Sequence, residues 1–480
     1  MQSIWRDSIV YSFAIILHRS LNFILVLLFV SGLSKANYGT YELYISILTF
    51  SSLIIALELA QGCGRLINEV NSLQKNMIFS MSFYTIIFLG LAFLTISSFG
   101  LLDSLWFYLF SEKIKISPLF YAIVNIPFFA LFTFLQIQLR WEFRRFAYLV
   151  SSLLPLFLFL LFTLYLVIFL ELSLSLLFLG NLIMNVLGCL ISIYLLRTRF
   201  TLNFDFSLYK KILNFSLPFI PASILLIAIL ITDRFMLDWF LDRSQVGEYS
   251  FAYRISNIAV LTFAGIQSAL SPLIMKYHDS LNFRKEFNNI LHIFLTYSHI
   301  FLFGLLLLIP SFLNYFSTFQ AYESSLVVLI YLIPALFLSQ IYIFLPGPVI
   351  AKKTSVYIYV NLISFLANIC LNFFLIPRFG LVGAAISTLI TYVVSISLLL
   401  IFSRNFFMPS VKKSFFVILL ACWLLIFLLW LMPGVHIYSF SLFNRSLLYL
   451  IFSIIIIKAS GFSPSSFIQS LKNFIYGQGS

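Results

Sequence analysis

The feature that most constrains this chain is a succession of apolar stretches, each about as long as a bilayer is thick. A helix needs roughly 20 apolar residues to cross a hydrocarbon core. About fourteen such stretches follow one another, near residues 9–31, 41–62, 77–100, 117–138, 148–170, 174–196, 214–237, 248–272, 289–312, 324–350, 356–376, 381–402, 413–432 and 444–459. The links are short, the longest outer one being residues 101–116. Only 9% of the residues are charged and 62% are hydrophobic, whereas a soluble domain carries about 25% charge. That inventory cannot cover a core with a water-facing surface. The expected fold class is therefore an all-α polytopic membrane protein. The 58 Phe and 25 Tyr suit helices that face acyl chains and headgroups. His18 and Arg19 interrupt the first stretch and no small-residue cleavage site follows, so it reads as a span and not as a leader.

The basic residues give the orientation. With the N-terminus placed inside and the spans alternating, twenty of the 29 Lys and Arg residues fall in inner links and ends and six in outer links. Arg19, Arg234 and Arg254 remain within spans. Short inner loops of membrane proteins carry this bias. Most of the net charge of +13 is thus a topology signal and not a nucleic-acid footprint. It places both termini in the cytoplasm and implies an even number of spans.

The chain also repeats. At an offset of 208 residues, Gly39 and Tyr41 fall on Gly247 and Tyr249, and Arg144-Arg145 falls on Lys352-Lys353. Pro127 lands one residue past Pro334. The offset spans an even number of helices, so the halves run parallel about an axis along the membrane normal. This predicts two six-helix lobes, 1–205 and 206–405, with two additional C-terminal helices and a tail over 406–480. Transporters of this build carry their substrate between the lobes.

Ionisable groups inside hydrocarbon are costly and usually face a bundle interior or a wet cavity. The first span carries Ser8, Ser12, Arg19 and Asn22 on one helical face. Arg19 lies ~15 Å from Ser8 along the axis, near the midplane. It faces a cavity, or it is satisfied by neighbouring carbonyls or by Glu58. The eighth span carries Ser250, Arg254, Asn257, Ala264 and Ser268 as a polar and small-residue stripe. Asp233 and Arg234 close the seventh span, where Arg234 can reach Asp238 one turn on or serve a cargo. Asn361, Ser364, Asn368 and Asn372 share a face of the eleventh span, as helix glue or as partners for hydroxyl-rich ligands. Glu42 and Glu58 sit near opposite ends of the second. Asp233, Glu58 and Glu42 are candidates for ion coupling or for pairing between lobes. The four cysteines are dispersed, and no metal cluster, phosphate loop or Ser-His-Asp set is visible. Neither a cofactor nor covalent catalysis is expected.

Several runs carry a resemblance. They are Leu217-Pro218-Phe219-Ile220-Pro221, Asp233-Arg234-Phe235-Met236-Leu237, Val246-Gly247-Glu248-Tyr249, Ala252-Tyr253-Arg254-Ile255 and Ser271-Pro272-Leu273. Asn368, Asn372, Ile376-Pro377-Arg378-Phe379-Gly380 and Gly383-Ala384-Ala385 belong to the same set, as does Asn37-Tyr38-Gly39 with Tyr41. Together they resemble the polysaccharide flippases of the O-antigen (Wzx) type, within the superfamily that includes the MATE exporters and the lipid II flippases. The resemblance covers essentially the whole chain. It implies transport and not an enzyme: movement of an undecaprenyl-diphosphate-linked O-antigen or capsule unit across the bacterial inner membrane by alternating access. It makes Arg19, Arg254 and, less directly, Arg234 candidates for the diphosphate or an acidic sugar. Asn22, Asn257 and Asn368 are candidates for sugar hydroxyls. A polysaccharide polymerase and a chain-length regulator are implied as pathway partners.

Other functions fit the residues less well. A MATE-type exporter of organic cations would prefer acids in mid-span, where this chain places bases. A polymerase would need a large outer loop. A channel or scaffold would not need a lobed repeat. Lipid II or a teichuronic-type unit remains an alternative cargo.

Overall fold

The computed structural model describes residues 2–460 apart from 68–69, 101–115, 143, 261–282 (with 263 and 274 retained), 315–321, 352, 354, 405 and 432–440. The long outer link, Ala264, Ser268 and the Ser271-Pro272-Leu273 run lie outside the described residues, as do the side chains of Ser8 and Ser12. Among the described residues the regular structure is entirely helical.

The first half comprises α1 (Gln2–Gly32), α2 (Lys35–Ala56), α3 (Leu59–Leu66), α4 (Ser72–Ser98), α5 (Ile116–Trp141), α6 (Arg145–Phe169) and α7 (Leu174–Leu195). Side-chain caps start several of them. Ser34 opens α2, Ser173 opens α7, and Asn71 with Gln74 forms a capping box on α4. Each cap satisfies helix-end N–H groups that would otherwise face lipid or protein unpaired. After a 3-10 turn at Arg197–Arg199 come α8 (Phe206–Ser216), α9 (Ile220–Phe240) and α10 (Arg243–Ser256). Pro221 stands in the first turn of α9, where no N–H is missed.

The second half comprises α11 (Phe283–Asn314), α12 (Glu323–Leu338), α13 (Ser355–Ser403), α14 (Lys413–Leu431) and α15 (Leu442–Ser460). Helix α13 is broken at Gly380, whose φ of 57° and ψ of −132° suit glycine alone, so one run of sequence makes two spans.

The expected spans coincide with helices, with three local differences. The tenth, expected over 324–350, is one helix only to Leu338 and continues as a 3-10 turn, Ile341–Phe344, and a single helical turn, Gly347–Ile350. The second span, expected to reach residue 62, ends at Ala56. Leu57 and Glu58 take left-handed φ of 48° and 53° and turn the chain into α3. The apolar run misled because α3 is amphipathic and packs its buried face on α8 instead of continuing through lipid. The eighth span is helical to Ser256 and continues as a 3-10 turn, Asn257–Val260, to the edge of the described region.

The chain divides into two compact units, Met1–Ser250 and Phe251–Ser480. The compact boundary falls inside α10, later than the repeat boundary at residue 205, because α9 packs on α2. In the first unit, α5 and α7 pack closely and α1 lies on α6. Buried amides bind this unit. Asn125 donates to Asn181 Oδ1 (2.7 Å) and to the Tyr44 hydroxyl (2.6 Å), and Asn185 donates to Asn125 Oδ1 (2.9 Å). In the second unit, α12 packs on α13 and α11 on α15. Large apolar side chains such as Phe88, Phe146, Phe169 and Phe443 stand exposed, as lipid-facing residues must.

Candidate functional site

A cluster of charged residues of the first unit, Lys35, Glu42, Asp233, Arg234, Asp238, Arg243 and Glu248, gathers where the starts of α2 and α10 meet α9. Both starts are built alike. Ser34 accepts from Asn37 N at 3.2 Å, and Asp242 accepts from Gln245 N at 3.0 Å. One turn on, Gly39 and Gly247 lie at the crossing. A Cβ on Gly39 would stand 1.9 Å from the Arg243 carbonyl oxygen, and one on Gly247 would stand 2.3 Å from that of Lys35. Only glycine lets the two backbones approach so closely.

Side chains flank the crossing in the same reciprocal manner. Lys35 Nζ pairs with Glu248 Oε1, and Arg243 Nη1 donates to Thr40 Oγ1 at 3.4 Å. The offset of 208 relates Ser34 to Asp242, Lys35 to Arg243, Gly39 to Gly247 and Thr40 to Glu248. The repeat therefore contacts itself across a local two-fold, with a full ion pair on one side and a hydroxyl contact on the other.

Beneath the crossing lies a second, buried layer. Glu42 and Asp233 are buried, and each takes a tyrosine hydroxyl. Tyr38 donates to Glu42 Oε1 at 3.0 Å, and Tyr249 donates to Asp233 Oδ2 at 2.6 Å. Arg234 is buried between them. Its Nε stands 3.8 Å from Glu42 Oε2 and donates to Ser250 Oγ at 3.2 Å, while Nη1 donates to the Leu230 carbonyl at 2.8 Å. Asp238, one turn from Arg234, is met by Arg243 at 3.6 Å. Two carboxylates and one guanidinium held among tyrosine hydroxyls form a satisfied network whose members depend on one another.

The other sequence candidates are dispersed. Arg19 is half-buried on α1. Its Nη1 is enclosed without a hydrogen-bond partner among the described residues. Asn22 is occupied locally, donating to the His18 carbonyl at 2.9 Å. Glu58 is half-buried at the α2–α3 bend. Arg254 is half-buried in the last turn of α10, and Asn257 opens the 3-10 turn after it; both belong to the second unit. Asn368 is fully buried. It donates to Thr391 Oγ1 at 3.3 Å and accepts from Asn372 at 3.1 Å, which ties the two limbs of α13 together. Sequence reasoning did not single out Lys35, Thr40, Arg243 or Glu248. Their signal was in the repeat offset, one turn before the glycines for Lys35 and Arg243 and one residue after them for Thr40 and Glu248.

A family model described as "Polysaccharide biosynthesis protein" matches residues 4–278, more than half of the chain. The chain belongs to this family. No curated protein matches it in sequence. Among solved structures, this polysaccharide biosynthesis family member is similar to the lipid II flippase MurJ in an inward closed conformation, with TM-score 0.70, 18% identity and 94% of this chain matched to 99% of that one. It is also similar to an inward-facing multidrug resistance MATE transporter of the MOP superfamily, with TM-score 0.61, 14% identity, and 81% of this chain matched to 94% of that one. A MOP superfamily transporter from Pyrococcus furiosus, described by a reversed polarity of its binding pocket, gives TM-score 0.57 and 15% identity over 84% of this chain and 95% of that one. The family member therefore has the all-helical MurJ/MATE fold.

Proposed function

We propose that this chain is a flippase for an undecaprenyl-diphosphate-linked oligosaccharide, an O-antigen or capsule repeat unit, which it turns from the inner to the outer leaflet of a bacterial inner membrane by alternating access. The observation that carries the reading is Arg19, half-buried in the span of α1, whose enclosed Nη1 lacks a hydrogen-bond partner among the described residues. A guanidinium withdrawn from water with an N–H left unpaired is costly, and an arriving anion relieves that cost. A diphosphate is such an anion, and a guanidinium binds it through two parallel N–H bonds. Family membership and the flippase-like fold support the same assignment.

In this reading Arg19 and Arg254 are the anion contacts, each in its own unit. Arg234 is a weaker candidate because Glu42 already occupies it. Asn257 suits sugar hydroxyls, whereas Asn22 and Asn368 would have to leave existing bonds. Asp233 and Glu42, with Glu58 a more exposed third, remain candidates for ion coupling. The glycine crossing sits at the outer end of α2 and α10 in the inside-positive orientation, and it parts when cargo leaves. The chain works as two six-helix lobes, 1–205 and 206–405, with two further helices, and both termini are cytoplasmic. It performs no covalent chemistry. A polymerase and a chain-length regulator consume its product.

Lipid II is the second reading, supported by the similarity to MurJ. The test is reconstitution into proteoliposomes with fluorescent undecaprenyl-diphosphate oligosaccharide in one set and lipid II in another. Protein-dependent exposure of the oligosaccharide to an external quencher supports the proposal. Movement of lipid II alone favours the second reading, and movement of neither overturns both. A MATE-type antiporter would instead export an organic cation, which Arg19 would repel.

A further inference from the structure

The segment between α7 and α8 has a job that transport does not explain. It is held rigidly. Phe200 inserts against Phe79 and Phe83, with ring centroids 5.2 and 4.8 Å away. Thr201 N donates to Ser80 Oγ at 2.9 Å, and Ser80 Oγ donates back to the Arg199 carbonyl at 3.2 Å. Arg199 Nε pairs with Glu142 at 3.0 Å, and its Nη1 donates to Asn76 at 3.0 Å. Further on, Phe204 packs on Tyr209, whose hydroxyl lies 2.9 Å from Thr85 Oγ1. A connection of ten residues, 196–205, tied down at these points is not a slack linker.

Yet the segment presents its apolar side chains outward. Leu202, Phe204 and Phe206 are 89%, 61% and 71% exposed. The buried stripe of α8 is Leu208, Ile212 and Ser216, so its opposite face carries Phe206, Lys210, Lys211 and Asn214. Arg197 is also exposed, its guanidinium 4.3 Å above the Tyr194 ring. The acids described close by are engaged: Asp205 is the N-cap of α8, accepting from Ser207 N and Leu208 N, and Glu142 pairs with Arg199 and Arg144. The result is an apolar tip flanked by three cations, Arg197, Lys210 and Lys211, that have no acid partner among the described residues. The inside-positive orientation puts it at the inner surface.

We propose that this elbow is a docking surface for the anionic headgroups of the inner leaflet, with Leu202, Phe204 and Phe206 inserted below the headgroups and Lys210, Lys211 and Arg197 paired with lipid phosphates. Apolar wedges beside basic side chains are the chemistry that reads a negative bilayer surface, whereas a soluble partner would leave the lysines needing acids of its own. The surface anchors the connection between the two halves of the repeat. It does not depend on which cargo is carried.

The test uses the full chain in nanodiscs. An environment-sensitive donor is attached at position 202 through Leu202→Cys, with the exposed Cys370 changed to Ser; the other three cysteines are buried. Energy transfer is measured to acceptor-labelled phosphatidylglycerol and, separately, to acceptor-labelled phosphatidylcholine in mixed discs. Blue-shifted emission and a preference for phosphatidylglycerol of at least several-fold are expected, each basic side chain at the surface contributing up to about fivefold. Lys210→Gln with Lys211→Gln, both at exposed positions, should lower the preference at least several-fold, leaving the part due to Arg197, while emission stays blue. Equal transfer to both lipids in the unmodified elbow would overturn the charge pairing. Water-like emission in every disc would overturn the docking itself and leave the tip to a soluble partner.

Discussion

Gly39 and Gly247 lie across from one another, each over the backbone carbonyl of the residue four before its counterpart, Arg243 and Lys35. The relation is reciprocal because both glycines open equivalent helices of an internal repeat. Such a contact closes α2 against α10 without side chains in between. It leaves Lys35 with Glu248, and Arg243 with Thr40, as its two polar flanks.

A Cβ at either glycine should wedge this crossing. Gly39→Ala and Gly247→Ala are each expected to cost about 1–3 kcal/mol, the range for overpacking a tight contact. Because they disturb one contact, the double variant should cost less than the sum. Thermal unfolding of the detergent-solubilised protein reads the loss. Strictly additive shifts would show that the two positions do not share a contact.

Glu42 and Arg234 should be strongly interdependent. Glu42→Gln alone or Arg234→Met alone leaves a buried charge short of its partner, at about 3–5 kcal/mol. The double variant removes the mismatch and should recover part of that loss. A double-mutant cycle on unfolding midpoints measures the coupling. A coupling energy near zero would mean that the separation of 3.8 Å carries no energetic pairing.

Arg19→Ala should reduce surface polysaccharide in cells while membrane insertion stays normal, and Arg254→Ala should do the same. Arg19→Lys should restore only part of the activity, since an ammonium cannot bind a diphosphate through a planar fork. Polymer immunoblotting alongside quantification of membrane-inserted protein checks this. Full polymer levels in both alanine variants would remove these residues from the anion path.

Gly380→Ala should destabilise the second unit. The backbone at φ 57° and ψ −132° lies where side chains are strained, by about 1–3 kcal/mol. Gly100, which also has a positive φ of 72°, lies at the end of α4 where fraying can absorb the strain. A lowered melting temperature for Gly380→Ala, exceeding that for Gly100→Ala, is the expected result.

The sequence alone determined the solvent, the helices and their order. Apolar length fixes where a chain must cross lipid, and the distribution of Lys and Arg gives the sidedness to expect. The repeat was legible because Gly39 and Gly247 need the same backbone proximity, which keeps the same residue type at the same offset. What tertiary structure alone decided is who meets whom. Local spacing allowed Arg234 to reach Asp238, but packing of α9 on α2 brought it to Glu42 and gave Asp238 to Arg243. Spacing placed Asn368 on a polar helical face, and the fold at Gly380 is what brings Thr391 within hydrogen-bond reach of it. Hydropathy ran the second span through Leu57 and Glu58, where two left-handed residues end it. Helical periodicity encodes a face, and a face has no partner until other helices pack against it.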